Sequence, residues 1–233
     1  MSLTAPQIAH AVSTSAKRRW PTPLLALVAG TVALAVGRAA TTQGGSPAER
    51  LDQMAGQDLR VTASTLLVVA GFAAIVPGLW FVAGTVRRRG ARGSRLASIG
   101  SWLGLVGSVG FSVLASVDLV TLAATHVSDR TSMAEYLHQL DVSPGVLAVT
   151  APALVGYFIG PFLVTLAARR SGIGPKWLPG AVLASLVLQP VGAALGGPPV
   201  ASVADVVLQL GLVVTMVVLA REVVAASSGT TAG

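Results

Sequence analysis

An all-α, polytopic membrane bundle of six transmembrane helices, with two short interfacial helices on its outer surface, is the architecture this sequence predicts. Three observations carry the prediction. Six apolar stretches, 21–40, 61–86, 96–125, 145–168, 177–195 and 201–220, follow one another along the chain. Each comes close to or exceeds the ~20 residues that a helix rising 1.5 Å per residue needs to cross a hydrocarbon core. The loops between them alternate in charge. Finally, the chain is 53% hydrophobic and only 11% charged, whereas a soluble domain carries roughly 25% charged residues.

The charges orient the bundle. Lys17, Arg18 and Arg19 precede the first stretch, Arg87, Arg88, Arg89, Arg92 and Arg95 follow the second, Arg169, Arg170 and Lys176 follow the fourth, and Arg221 follows the sixth. Twelve of the 16 Lys and Arg therefore fall on one side. The alternate loops hold Glu49, Asp52, Asp58, Asp129, Glu135 and Asp141. Under the positive-inside rule both termini are cytoplasmic and the protein belongs to the cytoplasmic membrane. Trp20, Trp80, Trp102 and Trp177 all fall toward the same basic ends, where an amphipathic indole favours the headgroup layer. The first stretch has a second reading as a cleaved signal peptide, since small residues follow it at 37–40. Its apolar run is longer than a usual signal core, and both readings keep the N-terminus inside.

The expected organisation is a cytoplasmic N-terminal segment over 1–19, a membrane domain over 20–222 and a flexible cytoplasmic tail over 223–233. The two long outer loops each carry a capping signal. In Ser46-Pro47-Ala48-Glu49 the serine caps, proline suits the first helical position and glutamate closes a capping box. Ser132-Met133-Ala134-Glu135 repeats the box. Both predict short helices lying at the outer leaflet. Gly196-Gly197-Pro198-Pro199 predicts a tight reversal that makes the fifth and sixth spans antiparallel neighbours.

Small residues mark the contact faces. Gly100, Gly104 and Gly107 share one side of the third span, and Gly156 and Gly160 recur four apart in the fourth, spacings that permit close helix approach in lipid. Against this background the intramembrane polar residues stand out. Asp118 and Asp205 are the only carboxylates inside the spans. An aspartate near the bilayer centre costs roughly 2.5–3.5 kcal/mol, so both belong in the outer half. Arg38, Gln189 and Gln209 fall at comparable depth. One reading gathers Arg38, Asp118, Gln189, Asp205 and Gln209 around a polar cavity open to the outside. The other has Arg38 snorkelling to phosphates while each aspartate bonds a neighbouring helix or interfacial water.

Much chemistry is excluded. There are no cysteines and three histidines, His10, His126 and His138, so thiolate metal sites and bis-histidine haem ligation across the bilayer are not expected. Nucleotide-binding, serine-hydrolase and zinc-protease spacings are missing, and no catalytic residue, metal or cofactor is expected. The net charge of +7 reads as topogenic charge facing anionic lipid rather than nucleic acid. The expected partners are the bilayer, anionic lipid at the basic loops, and a membrane-protein partner or second copy of the chain.

The acidic outer loop from Glu49-Arg50-Leu51 to Leu59-Arg60, the basic turn after the second span, Tyr157-Phe158-Ile159-Gly160 and the run Arg170-Ser171-Gly172-Ile173-Gly174-Pro175-Lys176-Trp177-Leu178 resemble a family of bacterial six-span proteins known as a domain of unknown function. The resemblance covers about residues 20–220, and the Ala/Val/Gly-rich composition is similar to that of actinobacterial proteins. It implies a six-span fold and assigns no activity. The sequence thus favours a non-enzymatic accessory, sensor or assembly component of the membrane. A small-solute or proton-coupled carrier using Asp118 or Asp205 is the alternative, followed by a membrane enzyme acting on a lipid or quinone.

Overall fold

The computed structural model describes residues 20–40, 46–90 and 93–228, with side chains throughout except at 186–205 and 208. The expectations for the N-terminal segment, residues 1–19, and for the end of the C-terminal tail lie outside these residues. Helices make up the described chain: α1 (Thr22–Ala40), α2 (Pro47–Met54), α3 (Asp58–Arg88), α4 (Ser94–Ala124), α5 (Arg130–Asp141), α6 (Pro144–Arg170) and α7 (Leu178–Ser228). Five segments among the described residues are long and apolar enough to cross a membrane: α1, α3, α4, α6 and Gln209–Ser227 of α7. The surface agrees, since Leu25, Leu66, Ile99, Val109, Val113, Leu147 and Val214 project from the helices exposed. Continuous apolar exposure of this kind fits lipid rather than water.

Local chemistry sets the helix ends. Ser46 caps α2 with the expected box: its hydroxyl accepts from the Glu49 amide, and the Glu49 carboxylate accepts from the Ser46 amide. Ser143 caps α6, with Pro144 at its first position. That helix stops in a Schellman turn, in which the Ile173 amide donates to Ala168 and the Gly172 amide to Arg169. Gly172 has φ +72° there, and Ile173 is buried against the helix it ends.

Two expectations about boundaries change. The cap of α5 is Asp129, not Ser132. The Asp129 carboxylate accepts from the Ser132 amide and hydroxyl, and Glu135 instead accepts from Gln139. Aspartate is among the strongest capping residues and sits three positions earlier, so it wins the helix start. Residues 223–228, expected in the tail, are helical: α7 runs to Ser228, with Val223, Val224 and Ala226 buried.

The reversal expected at residues 196–199 falls inside one helical element of 51 residues, and that element is not straight. A Cβ added to Gly211 would lie 3.5 Å from the Ser185 hydroxyl, and one added to Gly174 would lie 3.7 Å from Glu222. Along a straight helix Ser185 and Gly211 would be about 39 Å apart. The element therefore doubles back between them, and its two arms lie side by side.

Backbone contacts at glycine hold the other helices together in antiparallel pairs. On α1 and α3, a Cβ at Gly30 would meet the Gly71 carbonyl oxygen at 2.7 Å, and one at Gly78 would meet Leu27 Cβ at 2.4 Å. On α4 and α6, a Cβ at Gly107 would stand 2.3 Å from the Tyr157 nitrogen, and one at Gly100 would stand 2.8 Å from the Gly160 carbonyl oxygen. Lipid tails are as apolar as leucine, so such close backbone approach supplies attraction that apolar burial cannot. Leu24, Leu27, Leu34, Phe72, Val82 and Leu219 fill the centre.

The two ends of the bundle differ in charge. Arg87 and Arg88 close α3, Arg169 and Arg170 close α6, and the Arg89 guanidinium donates to the Ala226 carbonyl near the end of α7. At the opposite end α2 and α5 pack on each other through Leu51 and Leu137. Ion pairs Arg50–Asp141 and Arg130–Asp52 join them, and His126 meets Asp58 at 3.2 Å.

Candidate functional site

Arg38 and Asp118 come from different helices and line one cavity of about 200 Å³. Arg38 sits in the last turn of α1 and Asp118 between one and two turns from the end of α4, so both reach the bundle end opposite Arg87–Arg89. Val68 and Phe72 of α3 and Phe111, Leu114 and Ala115 of α4 complete the lining. Both charged side chains are half-buried, and Arg38 is engaged within the protein.

Aromatic packing forms the floor. Phe72 stacks on Phe111 with ring centroids 5.5 Å apart, and Tyr157 of α6 meets Phe111 at 4.9 Å and Phe72 at 5.8 Å. Deeper toward the basic end a space of about 20 Å³ lies among Thr31, Phe72, Leu79, Gly104, Tyr157, Leu212 and Met216. Among the described residues no Asp, Glu, Lys, Arg or His lines it. The hydroxyls in the neighbouring turns are turned back on their own helices: Thr31 donates to the Leu27 and Val28 carbonyls and Thr165 to Pro161 and Phe162.

The remaining expected site residues fare differently. Gln209 is buried at 4% exposure, one turn before Leu212. It does not line the Arg38–Asp118 cavity, and its Oε1 has no partner among the described residues. The expectations for Gln189 and Asp205 fall on side chains outside those described.

Sequence reasoning missed Arg50. Its position in the acidic outer loop gives it no role in the sequence, yet α2 turns it inward, with its side chain 21% exposed. Arg50 pairs with Asp141, and both Arg50 and Arg38 act electrostatically on Asp118. The helical spacing offered a signal, since Leu51 and Met54 form the buried face of α2 and Arg50 borders it. The aromatic floor was missed as well, because nothing in one sequence says that Phe72, Phe111 and Tyr157 of three helices share a depth.

At the end of the bundle opposite Arg87–Arg89, Asp129 is a further electrostatic feature. Hydrogen bonds from the Ser132 hydroxyl and amide hold its carboxyl below the usual aspartate value. Among the described residues no group of three or more His, Cys, Asp or Glu is placed to hold a metal ion. What the arrangement can do is hold one small charged or hydrogen-bonding solute between a guanidinium and a carboxylate, above an apolar floor. At about 200 Å³ the space lies below the ~300–1,000 Å³ of drug-sized pockets.

No family model matches the chain, and neither does any curated protein or solved structure. The long apolar helices define its class as a helical membrane protein.

Proposed function

We propose that this chain is a six-span protein of the cytoplasmic membrane with both termini inside, and that it acts without catalysis, as a sensor or accessory component that detects a small solute at its outer cavity. Five apolar segments and the doubling back of α7 support six crossings. The gathering of Arg87, Arg88, Arg169 and Arg170 at one end supports the orientation. In this arrangement α2 and α5 are interfacial helices of the outer leaflet, and the basic end faces anionic lipid. The six-span bacterial family that the sequence resembles is the natural place for such a chain.

One observation carries the functional reading: Arg38 and Asp118 share a cavity whose floor is closed by the Phe72–Phe111–Tyr157 cluster. A receptor site needs an opening on one side only. A carrier needs a polar route onward, and the tightly packed interior below the aromatic floor weighs against one. The carrier reading keeps a single support, the Asp118 carboxylate inside the membrane domain, so the test is built to separate the two.

Purified protein in proteoliposomes is exposed to an imposed proton gradient, and its melting temperature is followed against amino acids, small carboxylates and small amines. The expected result is no Asp118-dependent proton flux, with thermal stabilisation by one solute class that disappears in Arg38→Ala and Asp118→Asn. Proton flux abolished by Asp118→Asn would establish the carrier reading instead.

A further inference from the structure

At the basic end a groove of about 450 Å³ opens between the start of α1 and the last turns of α7, lined by Trp20, Val218, Arg221, Glu222, Val224 and Ala225. Its lining combines three chemistries. Trp20 is half-buried and packs on the bundle core, which fixes the indole at the rim. Val218, Val224 and Ala225 give an apolar wall. Arg221 and Glu222 are exposed, and neither has a hydrogen-bond or ion-pair partner among the described residues. Among the described residues, one cation and one anion without a partner therefore face a single groove at the basic end of the bundle.

We infer that this groove binds a phospholipid bearing a primary amine in its headgroup, with the phosphate on Arg221, the ammonium on Glu222 and the glycerol and upper acyl chain along Val218 and Trp20. Guanidinium is suited to the phosphate because its planar fork donates two parallel hydrogen bonds. Glutamate is suited to a primary ammonium, which keeps three N–H donors, and less to a quaternary one, which has none. The same carboxylate repels a headgroup of net negative charge. The groove is thus unlike the surrounding arginine-rich loops, whose attraction for anionic lipid is a matter of net charge alone. The volume falls in the range of small-molecule sites. The proposed orientation serves only to name the leaflet; the headgroup chemistry stands without it.

The full chain is placed in nanodiscs or detergent with phosphatidylethanolamine, phosphatidylglycerol or phosphatidylcholine of matched acyl chains. Retained lipid is counted by native mass spectrometry, and thermal stability is measured alongside. Phosphatidylethanolamine is expected to be retained about tenfold over phosphatidylcholine, as one additional charge-assisted hydrogen bond implies. Glu222→Gln should bring the two to the same level, and Arg221→Gln should weaken both. Both side chains are exposed, so the lipid-free melting temperature of each variant should match that of the unaltered protein. Equal retention of all three lipids, or a preference for phosphatidylglycerol that survives Glu222→Gln, would overturn the proposal. Because nanodiscs present the same lipid on both faces, the result does not depend on which end is cytoplasmic. A topology reporter that reversed the orientation would move the site to the other leaflet and leave the preference unchanged.

Discussion

At Gly107 a single hydrogen is all that fits between α4 and α6, since a methyl there would stand 2.3 Å from the Tyr157 nitrogen and 2.6 Å from the Gly156 carbonyl carbon. Backbone cannot yield as a side chain can, so Gly107→Ala should force the helices apart and cost about 1–3 kcal/mol. Gly104→Ala should cost less, because its methyl meets only Leu79 Cδ1, at 2.7 Å, the end of a flexible chain. The glycine face of the third span was legible from the sequence, but the more demanding position on it was not. Thermal denaturation in detergent checks the order; Val113→Ala, at 51% exposure, is the lipid-facing control, and equal loss at Gly107 and Val113 would remove the packing argument. Arg38 and Asp118 pose a different question at the same scale. If they act on each other, Asp118→Asn should be milder than Arg38→Ala, because the amide keeps the shape and removes a charge that is costly in the membrane. Combining the two changes should then recover about 0.5–3 kcal/mol in a double-mutant cycle. Additive effects for Asp118, and likewise for Asp205, would mean that Arg38 pairs with neither aspartate.

Among the elements, α2 and α5 are the least anchored and the most dependent on charge. Both of their ion pairs are partly exposed, with Arg130 and Asp52 at 52% and 71%, and such pairs contribute about 0.2–1 kcal/mol. Leu51 and Leu137 are each 1% exposed, and truncating a buried leucine typically costs ~2–5 kcal/mol. Leu137→Ala should therefore release the outer pair more readily than Arg130→Ala, as read by protease sensitivity between residues 46 and 142. The opposite order would make the ion pairs the main clasp. The cap of α5 adds a pH dependence. The Asp129 carboxyl lies below its ordinary value in the folded protein, so the ionised form favours the helix. That contribution is complete above the unfolded aspartate pKa of about 3.9 and is lost as pH falls through the lower folded value. The protection factor of the first turn of α5, exchange corrected for the intrinsic slowing in acid, should fall on acidification below about pH 4, and Asp129→Asn should flatten the response. The sequence made α2 fully legible because its box contains serine, proline and glutamate in one register. It misplaced the start of α5 because Asp129 and Ser132 each satisfy a capping rule, and only the backbone reveals which carboxyl or hydroxyl faces the free amides. The same limit hid Arg50: depth along a helix can be read from spacing, but which way an outer helix rolls depends on the partner surface beneath it.

For the whole molecule, periodicity and length located five apolar helical segments because a hydrocarbon core imposes both. Beyond the fifth and sixth, joined by a short turn, they could not say which spans touch. Intramembrane packing rests on small-residue contacts that many helix pairs could make, so the α1–α3 and α4–α6 pairings and the convergence of Phe72, Phe111 and Tyr157 emerge only in three dimensions. Charge, by contrast, is a long-range and cumulative signal, and here it yields a test of the entire arrangement. The basic ends of α3 and α6 lie together, and the acidic outer pair lies at the other end. If the basic end is cytoplasmic, reporters fused after residues 50 and 135 should behave as extracytoplasmic, and reporters near residues 90 and 173 as cytoplasmic. A reporter at residue 198, inside the segment where α7 doubles back, should join the extracytoplasmic group, because both arms must then cross. This last position discriminates most sharply. A cytoplasmic signal there, with the other four as expected, would mean that the two arms of α7 form a re-entrant hairpin that does not cross. The six-span count would then fall to four, while the Arg38–Asp118 cavity between α1, α3 and α4 would keep its place.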